Sequence, residues 1–81
     1  SRMELKDVVD FAYSMTNMDE VKNGKFSLPK EIVFSIKKNL HEKLHREIRN
    51  EKHQFDYKDL DSDFDLNIFG VNFKFKNDDK K

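Results

Sequence analysis

The sequence predicts a small α+β domain, with two N-terminal helices packed on one face of a C-terminal antiparallel sheet, either a hairpin or a three-stranded meander. Three observations carry this. Apolar residues recur with helical spacing from Leu5 to Ile48. Beyond His53 the apolar period falls to two, the signature of half-buried strands. Within that second region the parity of alternation shifts at Phe69-Gly70, which marks a tight turn between two strands, the preferred reading, or a bulge within one bent strand.

In the first segment, Leu5, Val8, Val9, Ala12 and Met15 form one apolar stripe, with Glu4, Lys6, Asp7 and Asp10 opposite, so a helix is expected over residues 3–18. The stretch TNMDEVKNGK has no apolar periodicity and contains the turn pair Asn23-Gly24, and it reads as a loop. FSLPKEI then supplies helix-start signals. Ser27 is a capping residue, Pro29 suits a first turn, and Glu31 complements the positive end of the helix dipole. From there Leu28, Ile32, Val33, Ile36, Leu40, Leu44 and Ile48 predict a second helix reaching residue 50.

Phe55 and Tyr57 alternate with polar neighbours. Phe64, Leu66 and Ile68 alternate with Asp63, Asp65 and Asn67, and Val71, Phe73 and Phe75 alternate with Asn72 and Lys74. These runs are expected to be strands, with the phenylalanines forming much of the core. The terminal NDDKK has no apolar residue. The expected organisation is therefore one domain over residues 3–76 and a disordered tail over 77–81.

Sixteen basic and sixteen acidic side chains cancel overall but are segregated. Residues 1–21 carry two basic and five acidic groups, 22–52 nine and four, 54–73 one and five, and 74–81 four and two. Such blocks can complement a charged partner or a second copy, while the neutral total gives no general attraction to nucleic acid or membrane. With no cysteine there is neither a disulfide framework nor a thiolate metal site. No apolar run approaches the roughly 20 residues that cross a bilayer, and the N-terminus lacks a signal-peptide pattern, so a cytoplasmic protein is expected. The heavy use of Lys, Asn, Asp, Phe and Ile resembles proteins of AT-rich genomes, including many bacteriophages.

One string carries a chemical signature. His41-Glu42-Lys43-Leu44-His45 places two imidazoles one turn apart on a helix, with a glutamate between them that can polarise a metal-bound water. These five residues resemble the zinc-binding motif of the zincin metallopeptidases. The resemblance implies zinc held by His41 and His45, with Glu42 as general base and a third ligand elsewhere. The surroundings depart from that family. Lys43 fills a usually uncharged gap, Ile48 and Glu51 stand where a metzincin-like extension has glycine and histidine, and no glutamate follows Glu51. His53 is the remaining histidine that could serve as third ligand.

Two charged features complete the inventory. Asp59, Asp61, Asp63 and Asp65 alternate, and in an extended chain they would form a carboxylate row suited to a basic surface. The stretch resembles the start of a calcium-binding EF-hand loop, but Phe64 and Gly70 occupy the positions that need glycine and an acidic ligand. The predicted second helix carries Lys30, Lys37, Lys38, Lys43, Arg46 and Arg49, which could contact phosphates.

The sequence thus predicts a non-catalytic regulatory or interaction protein, a phage or mobile-element accessory factor by composition, without a cofactor. It is expected to bind another protein or to form a homodimer. The candidate partner-binding residues are Asp59, Asp61, Asp63, Asp65, Lys37, Lys38 and Phe69. The alternatives are a zinc-dependent hydrolase using His41, Glu42, His45 and His53, and a nucleic-acid binder acting through the basic helix.

Overall fold

The structure, a computed structural model, describes residues 3–79. Along the chain run α1 (Leu5–Thr16), a single-turn α2 (Asp19–Lys22), β1 (Glu31–Ile36), α3 (Lys38–Glu51), β2 (Phe64–Ile68) and β3 (Val71–Asn77). The α+β class holds. The three strands form an open mixed sheet in the order β1-β3-β2, with β3 in the centre. β2 and β3 are the expected antiparallel hairpin, joined through Phe69 and Gly70, both at positive φ (53° and 83°) as a two-residue turn of this kind requires. β1 lies parallel to β3, with Phe34 opposite Phe75 and Ile32 opposite Phe73.

The third strand corrects the sequence reading. Residues 28–50 are not one helix: Glu31–Ile36 is a strand, and the helix begins only at Lys38. Ile32, Val33 and Ile36 satisfy a helical stripe, yet Ile32, Phe34 and Ile36 also satisfy period two, and only the latter set turns inward. Val33, which a helix would place with them, is 47% exposed on the opposite face. Crowded β-branched side chains favour the strand, and a long neighbouring strand supplies its partner. Of the capping signals, Ser27 and Pro29 therefore precede a strand rather than a helix, and Glu31 is the first residue of that strand. Phe55 and Tyr57, expected in a strand, lie in an irregular segment between α3 and β2.

α1 and α3 cover one face of the sheet. The core consists of Val8 and Ala12 from α1, Leu44 from α3, and Val71, Phe73 and Phe75 from β3. Phe75 is stacked between Phe34 of β1 (5.4 Å between centroids) and Phe64 of β2 (4.8 Å), so one ring ties all three strands. The opposite face is polar, with Lys74 paired to Glu31 at 3.4 Å. The two helices are linked directly where the Glu47 carboxylate accepts the Leu5 amide at 3.0 Å.

The expected disordered tail begins too early. Asn77 is buried in β3, and the amide of Asp78 donates to the Ile36 carbonyl at 2.7 Å. Asp79 accepts the Lys38 amide at 2.9 Å, capping the first turn of α3 from another part of the chain. A polar composition alone hides these contacts, because they are made by backbone and carboxylate groups. Residues 80 and 81 lie outside the described region.

Candidate functional site

The HEKLH histidines lie on the buried face of α3. Helical spacing places His41, Leu44, His45 and Ile48 together, all buried against the sheet. His41 is fully enclosed. Its Nε2 lies 3.3 Å from the Phe75 carbonyl and 3.8 Å from Asp63 Oδ1, both acceptors, so Nε2 carries the proton. His45 Nδ1 donates to the Leu60 carbonyl at 3.0 Å. The Phe64 ring packs against both imidazoles, stacked on His45 at 4.5 Å and edge-on to His41 at 4.9 Å. Burial holds the His45 pKa below its ordinary 6.5. The hydrogen bond to Leu60 works the other way, and the charges of Arg49 and His41 add to the lowering.

His41 Nε2 and His45 Nδ1 are thus already engaged. His41 Nδ1 is buried with no hydrogen-bond partner among the described residues. His53 sits past the end of α3 at φ 57°, exposed, with its ring against Phe55. Glu42 is half-buried on α3. Among the described residues no group of three His, Asp or Glu side chains is placed to hold a metal ion.

The acidic stretch divides into two conformations. Asp59 has φ 59° and its carbonyl accepts both the amide and the hydroxyl of Ser62, so residues 59–62 form a turn. The extended row is reduced to Asp63 and Asp65. Asp63 Oδ1 accepts the Asn77 amide at 3.1 Å, occupying the ladder position just beyond the end of β2. Asp65 accepts the Asn72 side-chain amide at 3.3 Å. Asp61 is exposed in the turn.

The basic helix is similarly occupied. Arg49 donates to the carbonyls of Asp56 and Lys58, and Arg46 lies over the Tyr57 ring, so both hold the α3–β2 connection. Lys37 pairs with Asp78 at 3.2 Å and Asp79 at 3.8 Å, and that pairing, with Asp78 first, raises its pKa above 10.5. Lys38 is exposed and Lys43 half-buried, and Lys30 precedes β1.

Sequence reasoning missed a concavity. A groove of about 690 Å³ opens between α1, α3 and β2, with a floor of Leu5, Val9, Ile48, Leu66 and Ile68. Its rim carries Glu4, Asp10, Glu47 and Glu51 against Lys6 and Lys52. Outside the groove lining, the exposed Tyr13 and Phe69 rings pair at 6.0 Å, one turn along α1 from Val9 and next in sequence to Ile68. The individual apolar residues were visible as stripes. The arrangement of α1, α3 and β2 that leaves them uncovered is tertiary, and no local pattern records it.

No family model, curated protein or solved structure matches this chain. No helix among the described residues is long and apolar enough to cross a membrane.

Proposed function

We propose that this chain is a small binding protein without catalytic activity, and that it holds an apolar segment of another protein in the groove between α1 and α3. The observation that carries this reading is the groove itself. An apolar floor ringed by charge is the form of a site that accepts the apolar face of one amphipathic helix. Four acidic rim residues against two basic ones select a segment flanked by lysine or arginine. The exposed Phe69, next in sequence to the groove residue Ile68 and held in a left-handed backbone conformation that a bulky residue seldom adopts, offers an aromatic contact for the same segment. The engagement of His41, His45, Arg46 and Arg49 in internal contacts also supports a binding role over the hydrolytic and nucleic-acid readings.

The test is an NMR titration with a designed helical peptide bearing a leucine stripe and lysine flanks, alongside its glutamate-flanked counterpart. The expected result is shifts at Val9, Ile48, Leu66 and Ile68 with the basic peptide alone, lost in Val9→Glu. Equal response to both peptides, or shifts elsewhere on the molecule, would overturn the assignment.

A further inference from the structure

The two edges of the sheet differ in charge: Asp63 and Asp65 stand along β2, while the central outward residues of β1 are uncharged and its edge is open. The Asn72 amide donates to the Lys30 carbonyl and the Asp78 amide to the Ile36 carbonyl. In a parallel ladder this directs the backbone groups of Lys30, Ile32, Phe34 and Ile36 toward β3, and those of Glu31, Val33 and Ser35 away from it. β1 is the outer strand, and among the described residues no loop or side-chain hydrogen bond reaches the outward groups of Glu31, Val33 or Ser35. The strand EIVFSI holds one charge, no proline and three β-branched residues, so it lacks the devices that normally keep an edge from pairing.

We propose that β1 pairs antiparallel with β1 of a second copy of this chain, joining two three-stranded sheets into one across a two-fold axis at Phe34. This site is separate from the α1–α3 groove and does not depend on it. The occupant follows from self-complementarity. With Phe34 opposite the second copy's Phe34, Ile32 faces the second copy's Ile36, so the half-buried apolar row on the helix side meets its own image. On the polar side Val33 faces Ser35 as a hydrogen-bonded pair, and Glu31, which pairs with Lys74, faces Lys37, which pairs with Asp78, so the two internal ion pairs join into one row of alternating charge. Lys37 is still extended (φ −71°, ψ 155°) and can complete the row. Sliding the strands to place Val33 opposite its own copy removes both the Glu31–Lys37 pairing and the aromatic pair.

The experiment is sedimentation equilibrium of the full chain from low to high micromolar concentration, on the wild type, Val33→Lys and Ser35→Pro. Val33 points into solvent, so lysine there leaves the monomer intact while setting a charge against the joined edge. Ser35 turns its amide outward, so proline removes an intermolecular hydrogen bond alone. The expected result is a wild-type dimer whose dissociation constant rises at least tenfold in each folded variant. If Ser35→Pro fails to fold, Val33→Lys decides. A wild type that stays monomeric throughout, a dimer that neither substitution weakens, or a dimer lost in Val9→Glu instead would each overturn the proposal.

Discussion

β2 and β1 are the two outer strands of the same sheet, and they meet solvent in opposite ways. β2 carries carboxylates at Asp63 and Asp65, Asp63 takes the Asn77 amide beside the start of the strand, and α3 packs His41 and His45 against Phe64. β1 carries only Glu31, and its central outward residues Val33 and Ser35 are uncharged. The inward residues of both strands are half-buried, and the outward backbone groups of both, Glu31, Val33 and Ser35 on one and Asp65 and Asn67 on the other, have no hydrogen-bond partner among the described residues. The contrast teaches that anchoring a strand within the fold and protecting its edge are separate tasks. On β2 the protection is charge, which discourages a second strand, and β1 lacks it over its central residues.

The comparison can be broken at its shared element. Phe75 stacks on both edges, so Phe75→Ala should cost about 3–5 kcal/mol in urea denaturation and loosen both strands together. Phe34→Ala, at a half-buried position on the open side, should cost about 1 kcal/mol in the monomer. A result in which the two substitutions cost the same would mean that Phe34 on the outer strand is as tightly held as Phe75 at the centre of the sheet.

The guarded edge can be opened selectively. Asp63→Ala leaves the Asn77 amide without its acceptor at a nearly buried strand end, an expected loss of about 1–2 kcal/mol in the urea midpoint. Because the Asp63 carboxylate also lies near His41 Nε2, Asp63→Asn, which keeps an oxygen acceptor for the amide, should recover part of that loss. No recovery would assign the effect to charge rather than to the ladder position.

A pH series sharpens the same side. Burial lowers the His45 pKa in the folded state, so between that value and the unfolded 6.5 the unfolded chain binds more protons. The contribution of His45 to stability is therefore complete above pH 6.5 and declines as the pH falls through that value. Denaturation midpoints measured from about pH 7.5 to about pH 5 should fall more steeply for the wild type than for His45→Gln. Parallel profiles would remove His45 as the cause. The smallest effect is expected on the open edge, where Val33→Lys should change monomer stability by less than about 0.5 kcal/mol.

Much of the β2 side was legible in the sequence. The alternation of Phe64, Leu66 and Ile68 against Val71, Phe73 and Phe75 sets a hairpin, and Phe69-Gly70 sets its turn, because both signals are local. The first helix was legible from a single stripe for the same reason. β1 was not. Ile32, Val33 and Ile36 fit two periods at once, and the tie is broken by β3, which lies more than thirty residues away. The histidines show a similar limit. Their spacing is a true helical face, but whether that face meets a cleft or a phenylalanine is decided by Phe64 and Phe75, and the sequence places neither against them. The groove was illegible because it is the space between two elements, each of which looks complete alone.

The central claim, that a second copy closes the β1 edge while the charged β2 edge stays open to solvent, is tested most directly by amide hydrogen exchange at two protein concentrations. The amides of Val33 and Ser35 on β1, and of Asp65 and Asn67 on β2, all point away from β3. At high concentration the Val33 and Ser35 amides should become protected, while those of Asp65 and Asn67 exchange as rapidly as before. Protection that does not change with concentration at Val33 and Ser35, or that rises equally on both strands, would contradict the account.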